Sequence, residues 1–329
     1  MKQKELIIGV DVSKKTLDLI VEFEEGSEHM KIKNEKKAIV SLCQKLLGRS
    51  KGLFFCFENT GVYSFLLCTI LQKQHVPYSM VNALSLKRSM GITRGKTDKA
   101  DAKAIALYAV KNRNELPLSK LPTDCILELK LLISERSKCI KAIRIFSGTK
   151  ENNDFIDEHI LASSSKHNSN MLSFIRKQIK EIEVQISKLV QENTKIKEQY
   201  KLVQTVPGVG PQTAIELIVA TNCFTSFDNA RKFACYVGIA PFEYQSGTSI
   251  RGKTRVSHLA NKKLKATLNM ASLAAKKWDP QLHQYYKRKT DEGKNGMLVM
   301  NAIRNKLVQR IFATMKRGTP YVKLENFAA

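Results

Sequence analysis

The segment that decides the fold of the N-terminal region is LIIGVDVSKKTLDLIVEF, residues 6–23. Its first part, Leu6–Val10, is apolar, and a second apolar run at residues 17–23 follows a short polar stretch. Short β-branched runs separated by polar turn residues are typical of neighbouring strands. We therefore expect two strands here, with Asp11 at the end of the first.

The segments that follow extend this pair into a mixed α/β domain. The apolar patterns predict strands at residues 29–34, 53–58 and 76–82 and helices at residues 35–48 and 63–74. The order strand, strand, strand, helix, strand resembles that of RNase H-like domains. In such domains the catalytic carboxylates lie on the first strand, a later strand and a C-terminal helix.

Four acidic residues stand at element ends in this region: Asp11, Glu58, Asp98 and Asp101. Asp11 and Glu58 close apolar runs, and the spacing of Asp98 and Asp101 puts both on one helical face. Between Glu58 and Asp98 the chain has no acid, while Lys and Arg accumulate there. Oxygen ligands of this kind suit Mg²⁺ or Mn²⁺, and a two-metal clamp acts on phosphodiesters. The pattern predicts metal-dependent phosphoryl transfer.

The same residues also have a structural interpretation. Asp98 could cap the helix with Asp101 at its third position, in the manner of a capping box. Asp11 and Glu58 could be ordinary polar residues at strand ends. Each residue taken singly fits this interpretation, whereas the four together favour a site.

The chain is strongly basic, with 55 Lys and Arg against 30 Asp and Glu, a net charge of +25 and a pI near 9.7. The excess is spread along the chain, since residues 201–329 hold 21 basic and 7 acidic side chains. Charge of this size predicts a polyanionic partner, nucleic acid first. The length predicts about two domains.

Seven cysteines without a CxxC pair are expected to be reduced, buried thiols. We find no secretion signal and no apolar stretch long enough to span a bilayer. These features predict a cytoplasmic protein.

The middle of the chain is predicted to be helical. An amphipathic helix at residues 125–146 is followed by a polar stretch and a second helix with a heptad pattern interrupted by Asn193. Its apolar positions are Leu172, Ile175, Ile179, Ile182, Ile186, Leu189, Ile196 and Val203. Two interpretations stay open: an oligomerising coiled coil with Asn193 fixing the register, or an internal hairpin against residues 125–146.

The C-terminal part contains two candidate nucleic-acid contacts. The stretch VPGVGPQTA, residues 206–214, looks like a helix-hairpin-helix whose glycine-rich turn offers N–H groups to a phosphate; the alternative is a tight turn between packed helices. Between Glu243 and Asp279 there are eight Lys or Arg and no acid. The residues that we expect to contact nucleic acid are Lys87, Arg88, Arg94, Lys96, Gly208, Gly210, Arg251, Lys253, Arg255, Lys262 and Lys263.

Several motifs together resemble the DEDD-type transposases of bridge-RNA-guided insertion sequences. They are GVDVSKKTLD (9–18), FENTGVY (57–63), GKTDKADAKAIALYA (95–109), TVPGVGPQTA (205–214), YVGIAPFEYQSG (236–247) and RGKTRVSHLANKKLK (251–265). The resemblance implies a RuvC-like, RNase H-like mixed-sheet domain at residues 1–120, a coiled-coil linker at 121–202 and a mostly helical transposase domain at 203–329.

The resemblance also implies chemistry and partners. Asp11, Glu58, Asp98 and Asp101 would hold divalent metal, Mg²⁺ or Mn²⁺, and Ser246 would attack donor and target DNA to form a covalent phosphoserine linkage. The site would be composite, with its parts from different subunits of a dimer or tetramer. A structured non-coding guide RNA would select the DNA by base pairing, in a prokaryotic, nucleoid-associated location.

Two departures and two alternatives accompany this resemblance. Ala260 stands where glycine is expected, and Lys262, Lys263 and Lys265 replace expected arginines, which keeps the charge but loses the bidentate fork. Ser249 and Ser257 are neighbouring hydroxyls that compete with Ser246 for the role of nucleophile. In function, the alternatives are a junction-resolving endonuclease that uses metal-activated water and a non-catalytic nucleic-acid-binding scaffold.

Overall fold

The computed structural model describes residues 5–89, 97–147, 157–246 and 250–322, without the side chains of Glu158, Ser246, Ile250 and Arg251. The chain divides into two compact units, Met1–Leu121 and Pro122–Ala329. The helical stretch that the sequence sets apart as a linker belongs to the second unit.

The first unit is a five-stranded mixed sheet with helices on both faces. Its elements are β1 (Leu6–Val12), β2 (Thr16–Phe23), β3 (Gly26–Lys33), α1 (Lys36–Leu47), β4 (Leu53–Glu58), α2 (Val62–Lys73), β5 (Tyr78–Val81), α3 (Ala83–Ser89) and α4 (Asp98–Asn112). The strand order is β3-β2-β1-β4-β5; β2 is antiparallel to β1 and β3, whereas β4 is parallel to β1 and β5. This confirms the mixed α/β sheet predicted from the apolar runs.

Alternation along the strands gives the sheet two different faces. On one face Ile8 and Val10 of β1 pack with Leu42 of α1 and Leu67 of α2 in the main core of the unit. The other face is covered by α4, whose buried residues pack on β2 and β4; the contacting residues are Ile105 and Ala109 with Phe54 and Cys56, and Ala102 and Ala106 with Ile20. The small residues of α4 let its backbone come close to the sheet.

Gly9 marks the closest approach of α4 to the sheet. A Cβ added there would lie 2.2 Å from the backbone N of Ala106 and 2.6 Å from its Cβ. Because the obstacle is mainly helix backbone, a side chain at this position must push α4 away. Glycine at position 9 therefore sets the distance between α4 and the strand that carries Asp11.

We expect Gly9→Ala to lower the free energy of unfolding by about 1–3 kcal/mol, the usual cost of overpacking a filled core. Urea denaturation of the two proteins measures this difference. Gly52→Ala is the matched control, because its Cβ would meet only Glu5 Cγ at 3.8 Å. Equal stability of Gly9→Ala and the parent would contradict the close packing of α4.

The second unit is mostly helical, as predicted. Its elements are α5 (Asp124–Ser147), α6 (Glu158–Glu192), α7 (Thr194–Gln204), α8 (Pro211–Ala220), α9 (Ala230–Val237), β6 (Pro241–Ser246), β7 (Ile250–Val256), α10 (Lys262–Trp278), α11 (Pro280–Asp291) and α12 (Gly296–Arg317). One core joins α5, α6, α7 and α8, and a larger one joins α7, α8, α9, α10, α11 and α12.

The heptad pattern does not form one continuous helix, and this corrects the sequence-based expectation. Asn193 ends α6, and its side chain accepts a hydrogen bond from the N–H of Ile196 at 3.0 Å to cap α7. An Asn that bonds to nearby backbone competes with helix continuation. The heptad pattern is therefore divided between α6 and α7 at this residue.

The apolar side of α6 packs against α5 within the same chain. Ile186 and Val190 of α6 share a buried cluster with Leu129 and Ile133 of α5. This is the internal hairpin against residues 125–146 that the sequence left open. Oligomerisation through the heptad positions stays a prediction.

The glycine-rich turn between α7 and α8 is packed against α10. Gly208 has a φ of +90°, and a Cβ there would lie 2.5 Å from the carbonyl oxygen of Ala271 and 2.6 Å from Ala275. Both the backbone angle and the close approach require glycine. Gly210 is exposed and precedes α8, with open space where its Cβ would be. Packing thus accounts for Gly208 but not for Gly210.

The cysteines are free thiols, and Cys43, Cys56 and Cys68 are buried. Burial raises the pKa of Cys56 to about 12 and that of Cys43 to about 11, so these thiols stay protonated and unreactive. Among the described residues, no helix is both long and apolar enough to cross a membrane.

Candidate active site

Asp11 and Glu58 lie next to each other at one end of the sheet. In the parallel pair of β1 and β4, Val10 stands opposite Phe57, and Asp11 and Glu58 are the next residues on the two strands. Alternation puts both on the face covered by α4, together with Gly9 and Cys56. Two of the four predicted carboxylates are therefore neighbours on one face.

Asp98 and Asp101 lie in the first turn of α4. The helix is capped by Thr97, whose Oγ1 accepts a hydrogen bond from the N–H of Ala100 at 3.1 Å. Capping by Asp98, the structural interpretation of this residue, is therefore wrong. Asp98 is exposed, and Asp101 is half-buried beside the buried Ala102. The cap of α4 therefore does not account for Asp98 or Asp101.

A fifth carboxylate, Asp18, lies at the same end of the sheet, and the sequence reasoning missed it. Asp18 pairs with Asp11 across β1 and β2, and it is only 4% exposed. Its Oδ2 lies 2.9 Å from Lys31 Nζ, and its Oδ1 lies 3.1 Å from His29 Nε2. The available signal was an acid inside the apolar run TLDLIVEF of β2.

Lys31 connects this carboxylate to the predicted site. Its Nζ lies 3.9 Å from Asp98 Oδ2, in addition to its contact with Asp18. The hydrogen bond to Asp18 raises the pKa of Lys31, and the charges of Asp18, Asp98 and Asp11 raise it further. This end of the sheet is therefore an acidic edge, defined by Asp11, Asp18, Glu58, Asp98 and Asp101, and it attracts cations.

The acidic edge has the donor chemistry of a divalent metal site, since carboxylate oxygens are hard ligands. The Lys31 ammonium already lies in the field of three of these carboxylates, so the edge holds a cation of the chain itself. In the described part of the chain, however, no three His, Cys, Asp or Glu side chains are gathered closely enough to hold a metal ion. The residues therefore fit a metal in the chemistry of their oxygen donors, while their side chains stand apart.

The predicted nucleophile lies in the second unit, on a β-hairpin formed by β6 and β7. Ser246 ends β6 and pairs with Ile250 of β7. Ser249 lies outside the described residues, and the side chain of Ser246 is likewise not described. Ser257 follows β7, and its Oγ accepts a hydrogen bond from the N–H of Leu259 at 3.1 Å. Ser257 thus has a local structural role in the turn after the hairpin.

The predicted nucleic-acid contacts are mostly exposed where they are described. The exposed ones lie at the end of α3, on β7 and at the start of α10; they are Lys87, Arg88, Lys253, Arg255, Lys262 and Lys263. Arg94 and Lys96 lie outside the described residues, as does the side chain of Arg251. Lys262 and Lys263 stand in the first turn of α10, where the helix dipole disfavours cations and favours an anion.

The alanine that replaces the expected glycine packs under this basic segment. A Cβ added to Gly238, which has a φ of +74°, would lie 2.4 Å from the Cβ of Ala260. Asn261 follows and caps α10 by accepting from the N–H of Leu264 at 3.0 Å. Its Nδ2 also lies 3.0 Å from the hydroxyl of Tyr236. The substitution therefore leaves the start of α10 intact.

Two cations of the second unit, Arg304 and Lys265, are partly or fully buried, and the sequence did not assign either of them to the site. Arg304 of α12 is 6% exposed, and burial lowers its pKa. The half-buried Lys265 also has a lowered pKa, because burial and the nearby charge of Arg304 both disfavour its charged form. Lys265 donates to the carbonyl oxygen of Gly238 at 2.8 Å. Among the described residues neither cation has a carboxylate partner, so positive charge extends below the surface of this unit.

Comparison with known families gives two matches along the chain. Residues 200–287 match the family described as transposase IS116/IS110/IS902, and residues 8–148 match a second family described as transposase. The first matched segment includes the β6–β7 hairpin and α10. The second includes all five residues of the acidic edge.

The chain is also similar to individual proteins and to a solved structure. The pilin gene-inverting protein of Moraxella bovis is 27% identical over 96% of this chain and 97% of its own length. An uncharacterized 43.6 kDa protein of insertion element IS110 from Streptomyces coelicolor is 30% identical over 46% of this chain and 36% of its own. Among solved structures, T. thermophilus RuvC in complex with a Holliday junction substrate covers 36% of this chain and 99% of its own, with 13% identity and a TM-score of 0.28.

Proposed function

The chain belongs to the IS116/IS110/IS902 family of transposases, and we propose that it cuts and rejoins DNA through a covalent phosphoserine intermediate, with divalent metal at the acidic edge. The observation that supports this proposal is that Asp11 and Glu58 are neighbours on the sheet face that α4 covers, while Asp98 and Asp101 lie in the first turn of α4. Such an arrangement supports an RNase H-like catalytic domain.

Asp11, Glu58, Asp98 and Asp101 would hold the metal, because carboxylate oxygens are the ligands that hard divalent ions prefer. When bound, Mg²⁺ or Mn²⁺ supplies charge neutralisation at a phosphodiester. Two strands and a helix contribute these carboxylates, so the backbone of each ligand is held by a regular element.

Ser246 is the proposed nucleophile. Its Oγ attacks phosphorus, an Oγ–P bond forms, the P–O bond to a deoxyribose oxygen breaks, and the serine proton ends on that oxygen. An unaided serine hydroxyl is a weak nucleophile at neutral pH, so the step needs metal-assisted deprotonation or charge neutralisation. Because one phosphoester replaces another, a new strand end can reverse the step without ATP.

Rejoining rather than hydrolysis is supported by a relative. The Moraxella bovis protein is named as pilin gene-inverting, and inversion of a DNA segment requires that cut strands be joined to new partners. A junction-resolving endonuclease that uses water would need the carboxylates alone. Incubation of the full chain with labelled DNA and Mg²⁺ separates the two, since only the phosphoserine route gives a protein–DNA adduct that survives denaturation.

Guide RNA and assembly complete the proposal, and both rest on family resemblance and charge. The net charge of +25 suits contact with the backbones of both DNA and a structured non-coding RNA. Sequence choice would then come from base pairing, while the protein reads backbone and shape. We propose a homo-oligomer, a dimer or tetramer, as the active form.

We expect binding to DNA or RNA to weaken steeply with salt, because Lys and Arg release counterions from phosphates. Lys262→Ala with Lys263→Ala should reduce the log-log slope by roughly 1 to 2. Fluorescence anisotropy over a range of salt concentrations measures the slope. Lys36→Ala with Lys37→Ala is the matched control, since these exposed lysines also open a helix. Equal slopes for the two double variants would show that the start of α10 does not contact the nucleic acid.

A further inference from the structure

Lys31 is a cation built into the acidic edge. It projects from β3 on the face covered by α4, because Lys31 pairs with Asp18 across β2 and β3 and contacts its carboxylate. Its Nζ is closer to Asp18, at 2.9 Å, than to Asp98, at 3.9 Å. The ammonium thus stands between Asp18, which the sequence did not identify as a site residue, and Asp98, which it did.

Asp18 is suited to hold Lys31 and not to bind metal. Its side chain is buried, and each oxygen has a partner: Oδ1 contacts His29, and Oδ2 contacts Lys31. Asp98 differs, since its side chain is 62% exposed. The buried Asp18 carboxylate, with a polar contact to each oxygen, stays in place. The exposed Asp98 carboxylate can change rotamer at little cost in free energy. Lys31 can therefore release Asp98 while it stays attached to Asp18.

We propose that Lys31 is a resident counter-ion that competes with divalent metal for the acidic edge, and that Asp18 is the positioning residue that anchors it. The inference rests on the proposed metal role of the edge. Without a metal, Lys31 offsets the repulsion among Asp11, Asp18 and Asp98. With a metal, Asp98 turns to the ion, and the ammonium remains beside Asp18.

This competition lowers the affinity of the acidic edge for metal until another anion, such as a DNA phosphate, binds there. A positive charge near a divalent ion lowers the affinity of the site for that ion. A DNA phosphate brings negative charge that offsets both cations at once, so metal and DNA should bind with positive coupling. Lys31 thus disfavours a metal-loaded edge in the absence of DNA.

The test is Mn²⁺ binding to the full chain without DNA, measured through the EPR signal of free Mn²⁺. Lys31→Met should tighten Mn²⁺ binding by about 3- to 10-fold, the effect of one partly screened charge on a divalent ion. Lys31→Arg keeps the charge and should bind as the parent does. Lys37→Met removes the same charge from α1, which packs on the opposite face of the sheet, and should also bind as the parent does.

The outcomes separate this inference from the proposed function. Mn²⁺ binding that is lost in Asp11→Asn but unchanged in Lys31→Met overturns the competition and leaves the metal role intact. Absence of Mn²⁺ binding in the parent overturns both. Tighter binding in Lys31→Met and Lys37→Met alike would show a general effect of net charge and would also overturn the role of Lys31. Lys31 is exposed, so its variants should fold.

Discussion

Asp11→Asn and Asp101→Asn should each reduce DNA strand cleavage by about a thousandfold or more while leaving nucleic-acid binding within a few fold. Both substitutions keep the size of the side chain and remove its charge. A metal clamp on a phosphodiester loses several kcal/mol of transition-state stabilisation when one carboxylate is lost. Binding persists because the basic surface, which is spread along the chain, supplies it.

Cleavage of labelled donor DNA in Mg²⁺ measures the first effect, and anisotropy in EDTA measures the second. Glu25→Gln is the control, because it removes one exposed acid from the turn between β2 and β3. Asp18→Asn tests a different role: it should cost less than Asp11→Asn, since the oxygens of Asp18 are occupied by His29 and Lys31. Parental cleavage by Asp11→Asn and Asp101→Asn would remove the metal role from the acidic edge.

The strands and helices of the first unit were predictable because their signals are local. The apolar runs that end at Asp11 and Glu58 form β1 and β4, and the alanine-rich stretch after Asp101 forms α4. The spacing of apolar residues, every 2 residues in a strand and every 3.6 in a helix, can be read within a single segment. The positions of the four predicted carboxylates at element ends follow from the same local patterns.

Asp18 and Lys31 could not be assigned in this way because their environment depends on strand register. Asp18 meets Asp11 and Lys31 only once β1, β2 and β3 pair in the order observed. A shift of one residue would send Asp18 to the opposite face of the sheet. Pairing between strands is not encoded within either strand, so the partners of Asp18 emerge only in the folded structure.

Local competition explains the expectations that failed. The side chains of Thr97 and Asn193 each accept a hydrogen bond from the backbone N–H three residues later. Each residue therefore marks the start of a helix that the pattern of apolar residues does not indicate. The heptad spacing continues across Asn193 although the helix does not. A side chain that offers the backbone another partner outweighs a periodic pattern at that point.

Ser246→Ala should eliminate both the covalent protein–DNA adduct and the recombinant product, while metal binding, RNA binding and assembly stay unchanged. The substitution removes only the hydroxyl that would form the bond to phosphorus. Transesterification to serine conserves the phosphoester, so strands can be joined to new partners without ATP, and hydrolysis cannot do this. The measurement is a denaturing gel of labelled DNA, followed by peptide mapping of any adduct.

Ser249→Ala and Ser257→Ala are the controls for this experiment, and both should keep the adduct and the product. Ser257 is the sharper control, because its hydroxyl accepts from the N–H of Leu259 in the turn after β7. Cleavage by Ser246→Ala at the parental rate would assign the reaction to metal-activated water. An adduct mapped to Ser249 would keep the phosphoserine mechanism and assign the nucleophile to Ser249. Loss of the adduct in Ser246→Ala alone, with the carboxylates intact, would show that the acidic edge without this hydroxyl is insufficient for joining.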